Sequence, residues 1–261
     1  MNLVNVGRYT LQAIIGEGHI GRVYRAFDPQ TGQTVALKIL LDESPVEDAR
    51  AYFQNEIVIL SQLEHPHIPR FYHASGGAPA YIALELIDGK DAEMLLAELP
   101  EGQFFAPEKI VGWGVQICAA LTYLHDHEPP IAFRDLKPSH IMIDTHDKAW
   151  LVDFNLAKIL PPDKFITKAD QVGTEGFAAP EQYKGVVSPL VDIYGLGATL
   201  HQLMTRIDPR RERPFTYAPP RAINPLLPKA LADVIMKALA YEPEDRFPNA
   251  AAFKAALLAC I

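Results

Sequence analysis

The spacing of apolar residues changes once along this chain, at Asp88-Gly89, and a chain that places its strands first and its helices later has few architectures open to it. Before that point Tyr9 to Ile15, Arg22 to Phe27 and Gln33 to Ile39 are short β-prone runs, separated by glycine-rich or Asp-Pro-Gln-Thr-Gly turns. They predict an antiparallel meander. One helix is expected to interrupt it from about Val46 to Leu63, where Ala49, Phe53, Ile57 and Leu60 line up as an apolar stripe. Two further strands follow, near Phe71 to His73 and Tyr81 to Glu85. After the Asp88-Gly89 turn the pattern is helical. Its clearest case is Pro107 to His125, with Ile110, Trp113, Ile117, Leu121 and Leu124 on one face and proline at the start. Ile141 to Ile143 and Ala149 to Val152 flank a polar Asp144-Thr145-His146-Asp147 turn and read as a small hairpin.

Composition narrows the function classes. A chain of 261 residues with 49% hydrophobic and 21% charged side chains is expected to fold compactly as one or two domains. Its 32 acidic against 24 basic side chains give a formal charge of -8, so a basic footprint for nucleic acid phosphates is missing and no nucleic acid partner is expected. Cys118 and Cys260 stand far apart, without zinc-ligand spacing or a disulfide framework, which favours a reducing cytoplasm. Met1 to Tyr9 lacks the apolar core of a secretory signal, and the uncharged run Ile110 to Leu124 falls short of the ~20 residues that span a bilayer. A soluble cytoplasmic chain without a membrane segment is the expectation. It concerns this chain, not a longer protein extending beyond Ile261.

Three features carry chemistry. Gly16, Gly18 and Gly21 form a GxGxxG turn. A dinucleotide fold would follow it with a helix, whereas Arg22 to Phe27 is strand-like and closes a hairpin, so the turn lies over a ligand or is an ordinary glycine hairpin. Glycine lets backbone amides approach phosphates closely. In Val35-Ala36-Leu37-Lys38, strand alternation sends Ala36 and Lys38 to one face, a small residue that admits a flat base and a cation that meets phosphate. Glu56 interrupts the apolar stripe of the first helix, where a carboxylate is costly unless a buried cation such as Lys38 pairs with it.

Phe133-Arg134-Asp135-Leu136-Lys137-Pro138-Ser139-His140 precedes the hairpin and Asp153-Phe154-Asn155 follows it. With the glycine turn, Val-Ala-Leu-Lys, Glu56, Ala179-Pro180-Glu181 and Asp192 in the same order, the chain resembles the eukaryotic-type (Hanks-type) serine/threonine protein kinases nearly end to end. Gly173 to Tyr183 and Pro243 to Phe247 are similar to bacterial members. The resemblance implies an α+β, bilobal protein-kinase-like fold, with an antiparallel β-sheet N-lobe carrying one helix (about 1–87), a mainly helical C-lobe (about 88–261) and the active cleft between them. It implies transfer of the γ-phosphoryl group of ATP to Ser/Thr hydroxyls of a protein substrate, with autophosphorylation. A protein substrate is favoured because small-molecule kinases of this fold generally lack the Glu181–Arg246 ion pair and Asp192.

By position, Asp135 would orient the acceptor hydroxyl and take its proton, and Lys137 would neutralise the transferring group. Lys38, held by Glu56, would hold the α- and β-phosphates. Asp153 would bind the metal. Val23, Ala36 and Met142 would sandwich adenine, with Leu84 as gatekeeper and the main chain of Glu85 and Ile87 as its hydrogen-bonding partners. Arg134 would pair with a phosphorylated Thr167, the only hydroxyl side chain between Asp153 and Gly173, while Thr174 would contact Asp135 and Lys137 structurally.

Three positions depart from the family pattern. Phe133 replaces histidine and preserves packing. Asn155 replaces the glycine of Asp-Phe-Gly and is expected to supply positive φ there. His140 replaces the asparagine that binds a second magnesium, and imidazole is a poor ligand for that oxygen-seeking ion. Magnesium or manganese is therefore the expected metal, with manganese favoured. A pseudokinase, a nucleotide-binding scaffold disabled at His140, is the alternative, and a small-molecule kinase a third reading.

Overall fold

The computed structural model describes residues 4–41, 43–44, 46–161, 167–168 and 173–261, with 167 and 168 described through the backbone alone. The chain divides into two compact units, Met1–Asp88 and Gly89–Ile261.

The first unit is an antiparallel sheet with one helix. Its strands are β1 (Asn5–Val6), β2 (Tyr9–Glu17), β3 (Gly21–Asp28), β4 (Gln33–Leu40), β5 (Phe71–Ser75) and β6 (Tyr81–Glu85), and α1 (Ala49–Leu60) lies between β4 and β5 in sequence. The spatial order is β1-β2-β3-β4-β6-β5. The expected meander therefore holds through β4 and then fails, because β6 pairs with β4 and leaves β5 at the edge. Alternation along β4 buries Val35 and Leu37 with Tyr9, Ala26, Tyr81 and Ala83 on one face. On the other, Ile82 packs with Phe53 and Ala49 of α1. Burying a side chain such as Phe53 contributes on the order of 1.5–3 kcal/mol.

Helix α1 is shorter at both ends than its apolar pattern predicts. Val46 donates its amide to Ser44 Oγ (3.1 Å), and Asp48 is left-handed at φ 60, which starts the helix at Ala49. At the other end the Ser61 hydroxyl and the Gln62 amide both donate to the Val58 carbonyl, at 3.0 and 2.7 Å, and compete with a further helical turn. The buried face is also turned slightly. Ile59 is buried and Ile57 only half-buried, so the stripe reads Ala49, Phe53, Glu56, Ile59 and Leu60.

The second unit is mainly helical. In order it contains β7 (Gly89–Asp91), α2 (Ala92–Glu98), α3 (Pro107–His125), β8 (Ile131–Ala132), β9 (Ile141–Asp144), β10 (Ala149–Leu151), β11 (Lys158–Ile159), β12 (Thr167–Lys168), β13 (Val186–Val187), α4 (Leu190–Thr205), α5 (Pro220–Ile223), α6 (Lys229–Ala238) and α7 (Ala250–Leu258). Helix α3 spans the expected residues and buries the expected face. The hairpin forms as β9 and β10, closed by Asp144, whose Oδ1 accepts from the amides of His146 (2.8 Å) and Lys148 (3.0 Å). Gly89 is not a turn glycine. It sits in β7 against β9, where a Cβ would lie 2.1 Å from the Ile143 carbonyl oxygen. The two-residue pairs β8/β11 and β12/β13 are too short for periodicity to reveal.

Candidate active site

In the first unit β2 and β3 enclose the glycine turn. The Gly18 amide donates to the Gly21 carbonyl at 2.9 Å and closes it. Only Gly21 is sterically required by the chain itself, because a Cβ there would meet the Ile39 carbonyl oxygen at 2.9 Å. Gly16 and Gly18 have ordinary room. Val23 pairs with Lys38 across β3 and β4, and Ala36 pairs with Leu84 across β4 and β6. The Lys38 ammonium donates to both oxygens of Glu56, at 2.9 and 2.8 Å, with both side chains buried. The costly carboxylate on the apolar face of α1 thus has the cation its position demanded. Glu85 ends β6 and donates its amide to the Arg70 carbonyl at 2.9 Å, and Ile87 is half-buried just beyond it.

In the second unit the loop between β8 and β9 carries Asp135, Lys137 and His140. Arg134 is held left-handed at φ 73. The strain is sustained by Asp192 of α4, whose carboxylate accepts from the amides of Phe133 (2.8 Å) and Arg134 (2.7 Å) and from His125 Nε2 (2.9 Å). Gln182 adds a bond from its side-chain amide to the Arg134 carbonyl at 3.0 Å. Sequence reasoning missed His125 and Gln182. A polar side chain placed deep in a helical or post-helical apolar stretch is the only signal either gives.

Asp135 is the hub. Its Oδ1 accepts from the Thr174 amide (3.0 Å) and hydroxyl (2.7 Å), and its Oδ2 from Lys137 Nζ (3.1 Å). Lys137 also donates to the Thr174 hydroxyl at 2.8 Å, so a triangle of three side chains fixes the carboxylate. His140 Nδ1 lies 2.8 Å from the Asp135 carbonyl oxygen, which can only accept, so Nδ1 carries a proton. The ring's Nε2 faces Asp153 Oδ2 at 3.5 Å. Nearby, burial pushes the Asp91 carboxyl up, against the opposing pull of the hydrogen bond it accepts from the Met94 amide.

Asp153 is left-handed at φ 68, whereas Asn155 is not among the positive-φ residues. The expectation for this turn is therefore corrected. The reversal is taken one residue before Phe154, whose ring meets Phe133 edge-on at 5.1 Å, and no special backbone freedom is asked of Asn155. Met142 is half-buried in β9 opposite Trp150. Arg134 Nη1 donates to the Leu156 carbonyl at 3.3 Å. Thr167 pairs through its backbone with Val187 in β12/β13, and its side chain lies outside the described residues. The ion pair expected of Glu181 and Arg246 is present, at 2.6 and 2.8 Å.

A sequence model described as "Protein kinase domain" matches residues 9–255. The chain belongs to the protein kinase family. Serine/threonine-protein kinase PknH of Mycobacterium bovis is 30% identical over 257 residues, covering 94% of this chain and 42% of that protein. Serine/threonine-protein kinase PknD of Mycobacterium tuberculosis is 32% identical over 258 residues, covering 94% and 38%. The chain thus spans about two-fifths of the length of these relatives. The crystal structure of a point mutant of the Mycobacterium tuberculosis PknI kinase domain superposes with a TM-score of 0.78 at 26% identity, covering 99% of this chain and 98% of that one. The kinase fold follows. Among the described residues no helix is long and apolar enough to cross a membrane.

Proposed function

We propose that this chain transfers the γ-phosphoryl group of ATP to Ser/Thr hydroxyls of a protein substrate, itself included. The observation that carries the reading is the Asp135–Lys137–Thr174 triangle, which fixes a carboxylate and a cation side by side on one loop. Asp135 Oδ2 takes the acceptor hydroxyl's proton as the oxygen forms its bond to the γ-phosphorus and the bond to the β-phosphate oxygen breaks, releasing ADP. Lys137 neutralises charge on the transferring group. Lys38, oriented by Glu56, holds the α- and β-phosphates beneath the Gly16–Gly18–Gly21 turn, and Val23, Ala36, Met142 and the main chain of Glu85 and Ile87 are the adenine contacts that the family resemblance implies.

Among the described residues no group of three or more acidic, His or Cys side chains gathers as a metal cage. That suits an ion held by one or two protein donors and completed by phosphates and water. Asp153 would supply a carboxylate oxygen and His140, whose Nε2 lies 3.5 Å from it, a nitrogen donor. The ion, when bound, neutralises phosphate charge. A nitrogen donor favours manganese over magnesium, so His140→Asn is expected to shift the preference toward magnesium. Thr167 is the switch site: its phosphate would draw Arg134 away from the Leu156 carbonyl. Mass spectrometry of active protein showing no phosphate on Thr167, with Thr167→Ala fully active, would remove that role.

The deciding experiment incubates the protein with labelled ATP and a Ser/Thr-containing protein, beside Asp135→Asn. Transfer to Ser or Thr by the parent and its loss in the folded variant are expected. Equal labelling by both would refute the assignment.

A further inference from the structure

The glycine turn is fastened from behind by a residue outside every motif. The Ser44 hydroxyl donates to the His19 carbonyl at 2.7 Å and accepts from the Val46 amide at 3.1 Å. One residue along the turn, the Ile20 carbonyl accepts from the Leu41 amide at 3.0 Å. The Ile20 side chain is buried with Ala49 and Phe53 of α1. Val46 in turn receives the Ala49 amide at 3.2 Å, so the hydroxyl links the turn to the start of the helix that carries Glu56.

A peptide unit is planar and trans, so its carbonyl and its amide point in opposite directions. Pinning the His19 carbonyl to Ser44 therefore aims the Ile20 amide away from the β4–α1 connection. Among the described residues that amide meets no acceptor. A backbone N–H held in one direction without a protein acceptor is a preorganised anion donor.

We propose that Ser44 is a positioning residue for nucleotide phosphate: its hydroxyl sets the His19–Ile20 peptide so that the Ile20 amide faces the phosphates, and ties the turn to α1. The proposal rests on the nucleotide reading above. Losing the hydroxyl frees the peptide to rotate without removing any group that touches ATP. The loss falls on nucleotide affinity, because the amide must then be ordered on binding.

The test compares the parent, Ser44→Ala and Ser44→Thr in two measurements. Hydrogen exchange is read at the 16–23 segment without nucleotide, and affinity is read by titration with ATP. Ser44→Ala is expected to exchange faster at Ile20 and to bind ATP about three- to tenfold more weakly, the range one such hydrogen bond supports. In the transfer assay it should raise the KM for ATP rather than lower kcat. Ser44→Thr keeps the hydroxyl and is expected to restore both readouts. Parent-like exchange and affinity in Ser44→Ala would overturn the proposal, as would failure of threonine to rescue. If the parent binds no ATP while the exchange contrast persists, the nucleotide reading falls and takes the phosphate role of Ser44 with it, leaving only a structural latch.

Discussion

Lys38–Glu56 in the first unit and Arg246–Glu181 in the second are both buried, two-pronged and distant in sequence, yet they are embedded differently. Lys38 presents a compact ammonium to both oxygens of the Glu56 carboxylate. Arg246 donates to Glu181 and also to the carbonyls of Ala240 (2.9 Å), Leu190 (3.1 Å) and Tyr241 (3.0 Å), so one guanidinium ties α4 to the segment after α6. A rigid fork suits a joint, whereas a rotatable ammonium suits a group that must also serve a ligand. On the proposed function, the first pair serves chemistry and the second architecture.

Replacing one member of each pair gives the largest contrast. Lys38→Met is expected to lower phosphoryl transfer roughly a hundredfold or more, measured at saturating ATP, since it removes phosphate-positioning charge. Arg246→Met is expected to cost about 3–5 kcal/mol in denaturant unfolding, because Glu181 is left buried alone. Full transfer by Lys38→Met, or unchanged stability in Arg246→Met, would erase the distinction.

Double replacement sharpens it. Lys38→Met also takes the cation from Glu56, and adding Glu56→Leu is expected to recover part of the lost stability while leaving transfer abolished. Arg246→Met with Glu181→Leu should not recover, since three backbone carbonyls still lose their donor. Equal recovery in both double variants would mean that the carbonyl bonds of Arg246 carry no weight.

A smaller effect comes from a buried group with no charge partner. His201 on α4 bonds through Nε2 to the Ala218 carbonyl at 2.8 Å, and burial pushes its imidazole below 6.5 despite that bond. The unfolded chain therefore takes up the proton first as the solution is acidified. Stability present above about pH 6.5 is lost as pH falls through the window between the unfolded and folded values, and then levels off. Denaturant midpoints at about pH 7.5 and about pH 5.5 should converge in His201→Gln relative to the parent. An undiminished gap would assign the acid loss elsewhere.

Much of the site was legible because its residues violate local rules. A carboxylate on the apolar face of a helix demanded a cation, and Lys38 was the one offered by the facing strand. The hairpin β9–β10 and helix α3 were legible from period alone. The order of β5 and β6 was not, since pairing partners depend on what α1 covers. Nor was the left-handed turn at Asp153, because aspartate at 153 and asparagine at 155 both tolerate positive φ and their identities do not say which one takes it. The role of Ser44 left no trace either: a serine between charged residues reads as a solvated turn.

Helix α4 buries every residue from Val191 to Thr205, with Asp192, Thr199, His201, Gln202 and Thr205 among them. A segment with no water-facing side has no independent existence, and alone it is a short helix too costly to nucleate. Its formation must wait for α3, α6 and the catalytic loop, so the shape that Asp192 imposes on Arg134 arrives late on the folding route. A chain released from synthesis before α6 would carry this apolar rod uncovered, and aggregation rather than a half-active fragment is the expected fate of such truncations.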